Sequence, residues 1–131
     1  MIYGIGTDIV EIKRVASMKS LDTFAKKILS KNEIKTFDDL KSSNKISYLA
    51  KQFAAKEAIA KAFGTGLKSP VELHNIEILR DKEGKPIFKP LNDLILKVKD
   101  LGITKTHVSL ADEKDYALAY AIIEIGKILF Y

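Results

Sequence analysis

The chain has 131 residues, 47% of them hydrophobic, and a formal net charge of +5 from 22 Lys+Arg against 17 Asp+Glu. That length suits a single domain spanning 1–131, able to bury a core yet small enough for assembly to help it. Without cysteine, disulfides, thiol nucleophiles and thiolate metal sites drop out; no apolar run reaches about 18 residues, so no membrane span is expected, and an opening without a basic leader makes the cytoplasm the expected compartment.

Residues 2–12 read as a strand of β-branched residues, with Gly4 and Gly6 marking irregular backbone. Arg14 to Met18 forms a short helical turn, and Leu21-Asp22 begins an amphipathic segment with Phe24, Ile28 and Leu29 on one side. Ser30 followed by Glu33 is a capping box that starts a helix through about Leu40. Ser42-Ser43-Asn44 caps a long helix running to about Phe63, stopped by Gly64 and Gly66, with Pro70 preventing its continuation. His74 to Leu79 is the next expected strand, turning through Asp81–Gly84 to a short partner at Pro86–Lys89. Pro90-Leu91 opens a helix to about Leu101, with Gly102 after its end. Thr106–Leu110 and Tyr116–Ile125 form a last hairpin. This order implies an α+β domain whose antiparallel sheet packs on a long central helix.

Two acids break the local pattern. Asp8 sits inside the first strand, where Asp has poor propensity. Glu57 falls at helical spacing on the line of Ile46, Leu49, Phe53, Ala60 and Gly64, a stripe expected to face the core. An ionised carboxylate on such a stripe needs a cation or several donors, although a Glu57–Lys61 pair on a solvated face is the plainer reading of the helix alone. Two carboxylates from separate elements fit a hard divalent cation such as Mg²⁺, which completes its shell with water and phosphate oxygens.

Gly4-Ile5-Gly6-Thr7-Asp8-Ile9-Val10-Glu11-Ile12, then Phe53-Ala54-Ala55-Lys56-Glu57-Ala58 with Lys61-Ala62 and Gly64-Thr65-Gly66, and finally His107-Val108-Ser109-Leu110, resemble in order the blocks of the holo-[acyl-carrier-protein] synthases. These are short, trimeric phosphopantetheinyl transferases. The resemblance implies a homotrimer with three copies around a threefold axis. It also implies transfer of 4′-phosphopantetheine from coenzyme A to a serine of apo acyl carrier protein, with release of 3′,5′-ADP, a step serving fatty acid biosynthesis. Asp8 and Glu57 become the Mg²⁺ ligands. Glu57 and Lys61 carry the catalysis, with Glu57 or a water relaying to a carboxylate as proton acceptor. Lys45, Lys56, Lys61, Gly64, Thr65, Gly66 and His107 become contacts for coenzyme A, His107 across a subunit boundary, while Ser109 is structural. The carrier protein, small and acidic, is expected to dock on Arg14, Met18, Phe24, Lys26 and Lys27. Two positions depart from the family pattern: Gln52 stands where many relatives carry Arg, and Asp112 where a second His often follows. Both departures are expected to thin the positive charge near the nucleotide.

A lysine-rich excess alone also suits nucleic acid. The chain, however, has no RNP-like aromatic motif or KH-type glycine clamp, and its basic residues are spread out, so no nucleic-acid partner is expected. A carrier-binding module without chemistry fits poorly with Asp8, Glu57 and Lys61 all present.

Overall fold

Strand β1 (Ile2–Glu11) leads into helices α1 (Ile12–Ala16), α2 (Leu21–Ile28), α3 (Lys31–Asp39) and α4 (Ser42–Phe63) in a computed structural model that describes residues 1–126. After a 3₁₀ turn (Leu73–Asn75) come the hairpin β2 (Ile76–Arg80) and β3 (Pro86–Pro90), helix α5 (Asp93–Asp100), and the hairpin β4 (Ile103–Asp112) and β5 (Tyr116–Ile125). The fold is α+β, with one antiparallel sheet ordered β1-β5-β4 and a separate β2-β3 ribbon.

Local chemistry accounts for most boundaries. The Ser30 hydroxyl accepts from the Glu33 amide at 3.3 Å, and Glu33 accepts from the Ser30 amide at 2.8 Å, closing the expected capping box. Ser20 caps α2 through the Thr23 amide, and Gly64 ends α4 at a left-handed φ of 83°. Three expectations are corrected. Ser42–Asn44 lies inside the first turn of α4, whose N-cap is Lys41 with no side-chain bond. His74 belongs to the 3₁₀ turn, ahead of the strand. Pro90 pairs with Ile76 as the last residue of β3, and α5 begins beyond it at Asp93. Proline is tolerated there because a strand end asks for no further ladder donor.

Helix α4 lies on β1 and β5 with little between their backbones. Added Cβ atoms at Gly4 and Gly6 would each fall 1.9 Å from a carbonyl oxygen, of Ala62 and Ala58 respectively. Any side chain there would have to push the helix away. Opposite, β5 contributes Ala117, Ala119 and Ala121, all buried, so the seam is built from glycine and alanine on both sides. The period of two along β1 puts Gly4, Gly6, Asp8 and Val10 on the helix side and leaves Tyr3, Ile5, Thr7 and Ile9 exposed on the other.

Candidate active site

Asp8 lies on the edge strand β1, opposite Ala119 of the central strand β5, and faces α4. Along α4 from Leu49 to Phe63 the residues left unburied are Lys51, Phe53, Glu57 and Lys61. The last three follow one another at intervals of four and form one line. Glu57 is therefore half-buried on a line that opens into a cleft, not on a core-facing stripe. Alanines around the rest of this helix are buried on every side, so periodicity held no contrast by which to choose the face.

The cleft has a volume of about 330 Å³ and takes in Asp8, Arg14, Met18, Phe24, Phe53 and Glu57. Phe24 and Phe53 meet edge to face at 5.5 Å between centroids and form its apolar wall. Lys61 donates to the Asp8 carboxylate at 3.1 Å and to the Thr7 carbonyl at 3.0 Å. Burial pushes the Glu57 carboxyl upward, the Asp8 charge pushes it further, and Lys61 offsets part of the rise. This pair of acids is thus incompletely neutralised, and added positive charge would relieve it. Among the described residues no group of three or more His, Cys, Asp or Glu side chains converges. The donor set on offer is two hard oxygen ligands, which suits Mg²⁺ completed by water and phosphate rather than a soft or fully caged ion.

The remaining expected site residues divide. Arg14, Met18 and Phe24 share the cleft with the acids. Lys26 and Lys27 are exposed in the last turn of α2. Lys45 lies elsewhere: with Lys26, Asp22 and Asp38 it borders another cleft, its ammonium 4.8 Å from the Phe37 ring centroid. It is roughly 18 Å along the helix from Glu57, at 1.5 Å per residue. Gly64, Thr65 and Gly66 form the turn after α4, with Gly64 and Gly66 both at positive φ.

Lys56 overturns its expected role. It is fully buried and donates to Glu33 at 2.7 Å, to the Leu73 carbonyl at 2.8 Å and to the Ile76 carbonyl, leaving nothing for a ligand. Its neighbour on the helix, Gln52, is equally buried and bonded to Glu33 and Arg80. Gln52 is thus part of an interior network, and the expected loss of positive charge beside the nucleotide is corrected for this position. Asp112, at the end of β4, accepts from Ser47 at 3.2 Å and lies 3.8 Å from Lys51.

His107 and Ser109 are exposed on the outer sheet face, opposite Ile122 and Tyr120. There His107 bonds to Glu124 at 2.6 Å, and that bond holds the Glu124 carboxyl down. Sequence reasoning missed Phe53 as a cleft residue. The spacing Phe53-Glu57-Lys61 was the signal that contained it.

A family model described as the 4′-phosphopantetheinyl transferase superfamily matches residues 4–121. A holo-[acyl-carrier-protein] synthase of Nitrosospira multiformis is 45% identical over 126 residues, 95% of this chain and 99% of the relative. The crystal structure of the Neisseria meningitidis holo-[acyl-carrier-protein] synthase superposes with a TM-score of 0.89 at 43% identity, covering 95% of this chain and 99% of that one. The Bacillus anthracis holo-(acyl-carrier-protein) synthase, crystallised in complex with CoA (3′,5′-ADP), gives a TM-score of 0.82 at 36% identity over 96% of this chain and 99% of that one.

Proposed function

The chain belongs to the 4′-phosphopantetheinyl transferase superfamily, among its holo-[acyl-carrier-protein] synthases, and from that premise we propose that it moves 4′-phosphopantetheine from coenzyme A to a serine of apo acyl carrier protein, with Mg²⁺ held by Asp8 and Glu57. The observation that carries this reading is the meeting of those two acids, one from a strand and one from a helix, in a single cleft with Lys61 bonded to Asp8. When bound, Mg²⁺ supplies charge neutralisation at the pyrophosphate oxygens.

The protein's own work is placement and charge. Lys61, half exposed at the end of its line, holds its ammonium 3.1 Å from Asp8, where it adds positive charge for the same oxygens. Transfer joins the serine oxygen to the phosphorus that bears the pantetheine arm and breaks that phosphorus's bond to the oxygen of 3′,5′-ADP. The serine proton leaves to a carboxylate of the pair, directly or through water. The carrier protein supplies the nucleophile and docks its acidic surface around Arg14, Met18 and Phe24, with Lys26 and Lys27 at the edge.

The cleft, at about 330 Å³, is at the small end for a ligand pocket, and coenzyme A is large. A homotrimer sharing each site between two chains resolves this. The outer sheet face leaves Ile5, Ile9, Tyr116, Tyr120 and Ile122 exposed, more apolar surface than a solvated sheet face needs. His107 lies on that outer face, while Asp8 lies on the helix side of the same sheet. A His107 contact to nucleotide phosphate therefore serves a neighbouring protomer's cleft. Mixing Asp8→Ala with His107→Ala chains and reassembling them should restore activity; a fully active monomer in sedimentation would end the shared-site reading.

The direct test combines the protein, coenzyme A, Mg²⁺ and apo acyl carrier protein, and weighs the carrier by mass spectrometry. The carrier should gain one phosphopantetheinyl group per chain. An unmodified carrier in the presence of folded protein would overturn the assignment.

A further inference from the structure

The cleft residues of α4 are aimed by an interior network on another flank of the same helix. Gln52 and Lys56 each sit one residue before Phe53 and Glu57, about 100° around the helix. Both are fully buried. Glu33 accepts from Lys56 at 2.7 Å and the Ser30 amide at 2.8 Å on one oxygen, and from Gln52 at 2.6 Å and the Ile78 amide at 2.9 Å on the other. Gln52 also donates to the Ile78 carbonyl at 3.0 Å and accepts from Arg80 at 2.9 Å. Every strong donor and acceptor in this knot is used, and no buried side-chain polar atom among the described residues lacks a partner.

Stability alone does not explain such a knot, because an apolar replacement of a buried ion pair is often as stable. Geometry does. Toward β1 the helix offers Ala58 and Ala62 against Gly6 and Gly4. Small residues allow close approach, but they present low ridges that resist rotation and sliding weakly. Directional bonds from α3 and β2 supply the missing rotational register. We propose that Glu33, Lys56 and Gln52 are positioning residues for the transfer reaction: they hold α4 at the one rotation that brings Glu57 and Lys61 beside Asp8. This rests on the transferase reading above for its kinetic consequences, though not for its structural ones.

The test compares Gln52→Met and Lys56→Met with Leu94→Ala, a core truncation in α5 whose side chain makes none of the network's hydrogen bonds. All are assayed at a temperature where circular dichroism reports each as folded. The positioning variants should lose about tenfold to a hundredfold in kcat, Lys56→Met the more, with the coenzyme A KM within about twofold of the parent. Mn²⁺ affinity, read by paramagnetic resonance without either substrate, should fall with kcat. Leu94→Ala should melt earlier and keep both kcat and Mn²⁺ affinity. Unchanged kcat and Mn²⁺ affinity in Gln52→Met would overturn the proposal, as would an equal kcat loss in Leu94→Ala at a matched melting point. If Lys56→Met fails to fold, Gln52→Met, which exchanges side chains of equal length, decides alone. A parent protein that leaves the carrier unmodified would break the transferase reading instead, and the Mn²⁺ comparison would still judge the positioning role.

Discussion

Helix α4 carries two lysines five residues apart that both face acids, and they live in different worlds. Lys56 is sealed, with all three of its protons spoken for by Glu33 and two carbonyls. Lys61 is half exposed and shares its charge between Asp8 and the field of Glu57. Burial pushes the Lys56 ammonium down while Glu33 pulls it back; at the cleft, burial and Asp8 both push the Glu57 carboxyl up. The interior knot is closed electrically. At the cleft the one bonded ammonium serves Asp8, and the Glu57 carboxyl is left without a hydrogen-bonded cation of its own, the kind of perturbed group that marks functional sites.

This contrast can be broken from either side. The largest effect should come from Lys56→Met, which strands the Glu33 carboxylate and should cost about 3–5 kcal/mol of folding free energy; Lys61→Met, measured by the same denaturant melts, should change stability by less than about 1 kcal/mol. Next, Asp8→Ala or Glu57→Ala should lower the transfer rate by on the order of a hundredfold to a thousandfold while the melts stay close to the parent's; wild-type turnover at limiting Mg²⁺ in either variant would remove the shared cation site.

A smaller change is expected from Arg14→Glu: the carrier KM should rise by about tenfold at low salt, more than that of coenzyme A, and added salt should narrow the gap. Equal rises for both substrates would take Arg14 off the docking face. Smallest is Glu57→Gln without divalent cation. The folded Glu57 carboxyl titrates above its unfolded value, so its contribution to stability is intact at low pH and is lost as pH rises through the folded value. The variant should therefore melt with the parent near pH 4 and slightly above it near pH 7, and Mg²⁺ should reverse that order by stabilising only the parent. The group is only half-buried, so solvent screening keeps the difference small.

Features with a local cause were legible in the sequence. The capping box at Ser30, the glycine stop at Gly64 and the acid misplaced in strand β1 each announce themselves within a few residues. What was not legible joins distant positions. Lys56 and Glu33 are 23 residues apart with no pattern linking them, and Glu33 had already been explained by its cap. The single carboxylate does both jobs, and only the folded chain reveals the second. Pro90 misled because a proline before an apolar run suits a helix start as well as a strand end. Lys45 shows how sequence order along α4 hides distance: it is on the helix that carries Glu57 and three turns from it.

The glycine–alanine seam sets a reach as well as a fit. With carbonyl oxygens resting where side chains at positions 4 and 6 would stand, the strand and the helix approach more closely than any larger residue permits. Asp8, on the strand, has one methylene; Glu57, on the helix, has two. At this separation a short arm from below and a longer one from above arrive in the same cleft. The interlayer gap and the two arm lengths are thus a single matched dimension, written in Gly4, Gly6 and Asp8 at one end of the chain and Glu57 far along it. A methyl group added at Gly6 would meet the Ala58 carbonyl oxygen and widen that gap without touching a charge.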